Sequence, residues 1–111
     1  MVIDRDSYGE PPMEPVTHKH GLTATEARKR LDGFMFALRR QYDGRVAESS
    51  ESWEGNVLTY RIVGVHKRVI HGTVTVDDTN VTVEAKGDIP RFIEWRVRNE
   101  IKAALAEALG D

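Results

Sequence analysis

Four histidines are the side chains of this sequence best suited to metal binding or proton transfer near neutral pH. His18 and His20 lie two residues apart, so on a strand both imidazoles point to the same face and could share one metal ion. A third ligand, such as His71 or Glu84, would have to come from another strand. Two ligands alone do not select zinc, so we predict no metal site and interpret the pair as exposed or edge-strand histidines.

A catalytic reading meets the same difficulty. His66 and His71 lie on either side of Lys67 and Arg68 near a predicted hairpin, but a general base needs a substrate and an orienting partner within reach. No motif supplies a nucleophile, and Glu26 is better explained as a helix-capping residue than as an acid catalyst. The stretch 87–90 offers a single glycine where a phosphate-binding loop needs several. We therefore predict no catalytic residue, no cofactor and no enzyme activity.

Composition narrows the class of protein. The chain has 111 residues, 40% of them apolar and 31% charged, which is typical of one globular domain. With no cysteine there is no disulfide and no thiol chemistry. A net charge of −2 argues against whole-molecule attraction to nucleic acid. We expect a cytoplasmic protein without a membrane span, because no apolar run approaches the roughly 20 residues of a membrane helix and acids occupy the start of the chain.

Two amphipathic helices are predicted to flank the strands. The first begins with a capping box, Thr23 to Glu26, and continues for about five turns to a stop at Gly44. The second follows Asp88, a good N-cap, with Pro90 in its first turn, and it ends at Gly110. Each helix has one apolar stripe, so each needs one packing partner.

The middle of the chain alternates with period two. Segments 58–62, 70–76 and 81–85 read as half-buried strands, 45–53 as a weaker strand, and 16–20 as a short edge strand. We predict an α+β fold: an antiparallel meander of about four strands, plus the candidate N-terminal strand, with both helices on one face. Residues 1–15 are predicted to form a flexible tail and 16–111 the domain. The opposite sheet face would present Thr59, Arg61, His71, Thr73, Thr75, Thr82, Glu84 and Lys86.

These segments resemble a known family. The resemblance is carried by His18–Leu22, Thr25–Arg28, Gly64-Val65, Gly72–Val76, Val81–Ala85 and Arg98–Ile101. It spans roughly residues 16–109 and points to the polyhydroxyalkanoic acid system family, small bacterial proteins often encoded near polyhydroxyalkanoate granule genes. The resemblance implies a cytoplasmic accessory protein of granule storage or its regulation, with a granule-associated protein as its partner. It implies no enzyme and carries over no site residue.

Aromatic residues on the predicted outer helix faces are the main anomaly. Trp95 falls opposite the apolar stripe of the second helix, among Arg91, Arg98 and Lys102, and such an aromatic often marks an interface. In the first helix Phe36 also lies off the stripe, near Gly33 and Arg40, and a mid-helix glycine hints at close approach by another element. A singly exposed aromatic, or one covered by the N-terminal tail, is the simpler alternative. The candidate interaction surface comprises Gly33, Phe36, Arg40, Arg91, Trp95, Arg98 and Lys102.

Three functions therefore compete. The first is an interaction protein of the polyhydroxyalkanoate system that forms a homodimer or binds a granule-associated protein. The second is a carrier of a small apolar ligand, lipid or acyl, held between the sheet and the helices and lined by Phe34, Tyr60 and Phe92. The third is nucleic-acid binding through the Arg91–Trp95–Lys102 face, against which the net charge and the acids of the same helix weigh.

Overall fold

The structure is a computed structural model that describes residues 13–34, 40, 46–65 and 67–110. Its helical segments are α1 (Ala24–Arg30), a 3₁₀ turn (Leu31–Gly33) and α2 (Arg91–Leu109). Its strands are β1 (Val16–Lys19), β2 (Val46–Glu54), β3 (Val57–Gly64), β4 (Val69–Val76) and β5 (Asn80–Gly87). The predicted α+β class is confirmed.

The strands form one antiparallel sheet in the order β1-β5-β4-β3-β2. The four strands β2 to β5 make the predicted meander, because each follows its neighbour through a short turn. The candidate N-terminal strand is real and brings the total to five: β1 crosses to the far edge and pairs with β5, with Val16 opposite Val83. This long-range pair makes β1 and β2 the two edge strands of the sheet.

The inner face of the sheet carries the core. The register places Trp53, Leu58, Val74, Val83 and Val16 side by side across all five strands, and the last four are buried. Burying a valine or leucine side chain contributes about 1.5–3 kcal/mol each. Both helices add to the same buried cluster, so they pack on this one face as predicted. The cluster contains Ala27 of α1, Leu31 and Phe34 of the 3₁₀ turn and its C-cap, and Val97, Ile101, Ala104, Leu105 and Leu109 of α2.

The first helix begins as predicted and changes character after two turns. The Thr23 hydroxyl accepts a hydrogen bond from the Glu26 backbone N–H at 3.1 Å, which is the first half of the capping box. The α-helix then tightens into the 3₁₀ turn that contains Gly33. The predicted continuation toward Gly44 falls largely on 35–39 and 41–45, outside the described residues.

The start of α2 corrects the sequence interpretation. Pro90, not Asp88, is the N-cap, and the helix begins at Arg91. The Asp88 carboxylate instead accepts a hydrogen bond from the Val69 backbone N–H at 2.8 Å, which satisfies the first residue of β4. The helix ends at Gly110 as predicted, where a φ of 79° favours glycine. No helix in the described residues is both long and apolar enough to cross a membrane.

The folded part reaches further toward the N-terminus than predicted. Met13, assigned above to the flexible tail, is 3% exposed and belongs to the core cluster. Its backbone N–H donates to the Ala85 carbonyl at 3.0 Å, which extends the pairing along β5. The domain therefore includes Met13, while residues 1–12 of the predicted tail lie outside the described part.

Candidate functional site

The outer face of α2 carries two large exposed aromatic residues. Phe92 is 79% exposed and Trp95 is 65% exposed. Residues three apart on a helix are neighbours on one face, so the two rings form one surface, which we call the Phe92–Trp95 patch. Val97 and Ile101 on the opposite side of α2 are buried in the core, so the helix is held rigidly beneath the patch.

The predicted exposure of Trp95 is confirmed, and Phe92 is a residue that sequence reasoning misplaced. It was assigned to an interior pocket with Phe34 and Tyr60, but those two are buried in the core and Phe92 is not. At 100° per residue Phe92 lies about 140° around the helix from Val97, on the solvent side. The spacing of three between Phe92 and Trp95 was the signal that could have revealed it.

The patch is flanked by basic side chains. Arg91 and Lys102 are exposed, as the sequence indicated, and Arg96 adds a third exposed cation whose Nε lies 3.6 Å from a Glu100 carboxylate oxygen. Arg98 is directed elsewhere: its Nη2 donates to the Pro15 carbonyl at 3.5 Å. Within the described part of the chain its Nε is buried without a hydrogen-bond acceptor. Arg98 therefore contacts the start of the domain, and it is not one of the fully exposed cations at the patch.

The predicted residues of the first helix do not join this surface. Arg40 donates through Nη2 to the Glu107 carboxylate on α2. Glu107 is twelve residues after Trp95, about 18 Å along the helix axis. Gly33 lies in the 3₁₀ turn, and Phe36 lies outside the described residues. The candidate surface of the sequence analysis thus divides, and only its α2 members surround Trp95.

The second tryptophan has a different environment. Trp53 lies on the inner face of β2 and is partly buried against the core. The Arg28 guanidinium stands 4.5 Å from its ring centroid, within the range of a cation–π contact. Arg28 Nε also donates to the Gly55 carbonyl at 3.1 Å, which ties α1 to the turn between β2 and β3. Trp53 is thus explained by the fold, whereas Trp95 is not.

The two histidines considered for a metal are engaged with the backbone. His18 Nε2 donates to the Gly110 carbonyl at 3.2 Å. His20 is buried, its Nε2 donates to the Asp77 carbonyl at 2.9 Å, and its Nδ1 accepts from the Leu22 N–H at 3.1 Å. Both nitrogens of His20 are therefore used to fasten the turn after β4 to the segment before α1. Among the described residues no three His, Cys, Asp or Glu side chains group as metal ligands.

Comparison with known families decides the identity of the chain. The family model described as "Putative polyhydroxyalkanoic acid system protein" matches residues 15–109. The chain belongs to this family. Neither the curated proteins nor the solved structures provide a match. The match covers every strand and helix given above, so the Phe92–Trp95 patch is part of the family domain.

In this polyhydroxyalkanoic acid system protein, Tyr60 has a structural hydroxyl. It donates to the Glu84 carbonyl at 2.8 Å across the sheet. Burial, followed by the charge of Glu84, raises the pKa of Tyr60 well above its ordinary value. Tyr60 therefore stays protonated and holds β3 to β5 across β4.

Asp77, in the turn between β4 and β5, is a carboxylate whose protonation should change the stability of the protein at acidic pH. Its carboxylate accepts from the backbone N–H groups of Thr79 at 2.8 Å and Asn80 at 2.7 Å, and these bonds lower the pKa of Asp77 below 3.8. A carboxyl whose pKa falls on folding stabilises the protein above its unfolded-state pKa and loses that contribution as the pH falls through the folded-state value.

We therefore expect wild type to be more stable than Asp77→Asn at pH 7, and the difference to shrink as the pH falls below about 4. Urea unfolding at pH 7, 4 and 2.5 measures it. Asp78→Asn is the control, because it removes the same charge from the neighbouring exposed residue. A difference that stays constant down to pH 2.5 would contradict the assignment.

Proposed function

We propose that this protein is a non-enzymatic accessory protein of the polyhydroxyalkanoate system that attaches to granules through the Phe92–Trp95 patch. The observation that carries the proposal is the pair of exposed rings on one rigid helix face, in a chain whose family is the polyhydroxyalkanoic acid system family. The granule polymer is an apolar polyester, so contact with its surface would bury the two rings that are exposed in the folded protein.

The expected strength follows from the area available. Fully burying a large apolar side chain contributes about 1.5–3 kcal/mol. Each tenfold change in affinity corresponds to about 1.4 kcal/mol, so loss of either ring should weaken binding by about 10- to 100-fold. The two rings lie on a helix whose other side packs in the core. Binding therefore costs little conformational entropy of the backbone.

Two alternatives receive less support. A carrier pocket between the layers was assigned to Phe34, Tyr60 and Phe92, but the first two are core residues and the third faces solvent. Nucleic-acid binding would use the exposed cations beside Trp95, and it predicts an affinity that falls steeply with salt. Attachment driven by the aromatic rings predicts an affinity that salt does not lower.

The test is co-sedimentation with protein-free poly(3-hydroxybutyrate) particles at 50 and 500 mM salt. Wild type should pellet at both concentrations, and a Phe92→Ser/Trp95→Ser variant should remain in the supernatant. Val65→Ser is the matched control, because Val65 is 54% exposed and lies at the turn between β3 and β4. Equal pelleting of wild type and the double variant would refute attachment through this patch.

A second copy of the chain is the competing occupant of the patch, and light scattering separates it from the polymer. If wild type is a dimer and a folded Trp95→Ala variant is a monomer, the patch is a self-association surface. If both are monomers, the patch is available to granules, and co-sedimentation decides between polymer attachment and an unoccupied surface.

A further inference from the structure

The outer face of the sheet carries a row of polar side chains that the proposed function does not use. Strand pairing places Ser50 opposite Arg61, Arg61 opposite His71, and His71 opposite Lys86. All four residues are exposed, and they lie on four consecutive strands of the sheet. We call these residues the basic row.

The spacing of the basic row suits a ligand with more than one negative charge. Neighbouring strands are about 4.8 Å apart, so Arg61 and Lys86 lie about 10 Å apart at the backbone with His71 between them. Their long side chains can converge on one ligand, and the imidazole donates a hydrogen bond in either protonation state. Basic residues that lie opposite one another on neighbouring strands do not stabilise the sheet by their pairing, whereas an anion bound between Arg61, His71 and Lys86 interacts favourably with each of them.

A groove next to the basic row can hold the part of the ligand that does not carry the negative charges. It has a volume of about 520 Å³, within the range of small-molecule sites. Beside Arg61 and His71 its lining includes Glu51, Tyr60 and the hydroxyl-bearing residues Ser50, Ser52 and Thr59. Glu51 is paired with Tyr60, whose side chain is buried on the inner face, so strand alternation directs the Glu51 side chain to that face and away from the basic row. Cations and hydroxyl groups lining the same groove are complementary to a phosphate group attached to a polar group.

The carboxylates near the row leave it accessible. Glu48 lies 3.6 Å from Arg61 Nη1, but both side chains are more than half exposed, and such a pair contributes only about 0–1 kcal/mol. Glu84 lies in the adjacent row, opposite Thr73. A phosphate can therefore displace Glu48 from Arg61 and accept the two-pronged hydrogen bonding that a guanidinium offers.

We propose that the outer sheet face is a binding site for a phosphorylated small molecule carrying at least two negative charges. Arg61, His71 and Lys86 bind its phosphate groups, and the hydroxyl-lined groove receives the rest. The site lies on the opposite side of the sheet from the helices, so its ligand and a granule on the Phe92–Trp95 patch do not compete for the same surface.

The test is an amide NMR titration of the full chain with inorganic pyrophosphate at pH 7 and constant ionic strength. Saturable shifts should centre on Arg61, His71 and Lys86 and their sequence neighbours, and Arg61→Gln or Lys86→Gln should weaken binding by about tenfold. Lys19→Gln is the matched control: it removes the same charge from an exposed residue of edge strand β1 and should leave affinity unchanged. Unshifted peaks elsewhere show that each variant is folded.

Three outcomes would overturn the proposal. The first is the absence of saturable shifts with pyrophosphate. The second is an equal loss of affinity in Lys19→Gln, which would mean non-specific attraction. The third is binding of malonate as tightly as pyrophosphate, which would assign the row to carboxylates instead. A Phe92→Ser/Trp95→Ser variant should bind pyrophosphate like wild type, so this site and the granule attachment are tested separately.

Discussion

Gly72→Ala should lower the free energy of unfolding by about 3 kcal/mol or more, which is a large share of the total stability of a small domain. A Cβ at position 72 would overlap the Glu84 backbone carbonyl and lie 2.8 Å from the Tyr60 hydroxyl oxygen. Neither group can yield easily, because the carbonyl belongs to β5 and the hydroxyl is bonded to it. The methyl group must therefore push β4 and β5 apart or break the Tyr60 hydrogen bond.

Urea unfolding monitored by circular dichroism measures this decrease in the free energy of unfolding. Gly21→Ala is the control, since a Cβ there meets nothing within 4 Å. Its stability should be unchanged or slightly raised, because alanine has fewer conformations in the unfolded chain. If both variants unfold at the same urea concentration, the close approach at Gly72 is not a determinant of stability.

The second large effect separates two phenylalanines that the sequence analysis placed together. Phe34→Ala should lower the free energy of unfolding by about 3–5 kcal/mol, because Phe34 is fully buried and its loss leaves a cavity. Phe92→Ala should change it by no more than about 0.5 kcal/mol, because that ring is mostly in solvent.

The same unfolding experiment serves both variants, and granule co-sedimentation then completes the contrast. Folded Phe92→Ala should bind granules at least about tenfold more weakly than wild type, whereas any Phe34→Ala that remains folded should bind like wild type. Equal destabilisation by the two substitutions would place Phe92 in an interior site and revive the apolar-ligand carrier. Unchanged granule binding by Phe92→Ala would show that the Phe92 ring does not contribute to attachment.

Local patterns were sufficient for much of the fold. Alternation along 58–62, 70–76 and 81–85 assigned inner and outer faces correctly, because a side chain's face in a strand depends only on its position along the chain. Thr23 and Gly110 marked helix ends correctly because capping bonds join residues a few positions apart. Trp95 was recognised as exposed for the same reason, from its angle around one helix.

Interactions between distant residues were not accessible in this way. Asp88 reads as a helix cap in the sequence, yet it binds the Val69 N–H, nineteen residues away. Met13 reads as tail, yet its N–H meets Ala85 at the end of β5. In both cases a local preference competes with a hydrogen bond that exists only after the sheet has assembled.

The candidate sites divide along the same line. The sequence by itself determined the α+β class, the polar outer sheet face and the solvent position of Trp95, because these follow from periodicity within single elements. The spacing of three already places Phe92 beside Trp95 on a helix, but only the tertiary structure decided that this face lies in solvent, because the opposite face of α2 packs against the sheet. Only strand register decided that Arg61, His71 and Lys86 stand side by side, because a shift of one residue would send one strand's side chains to the other face.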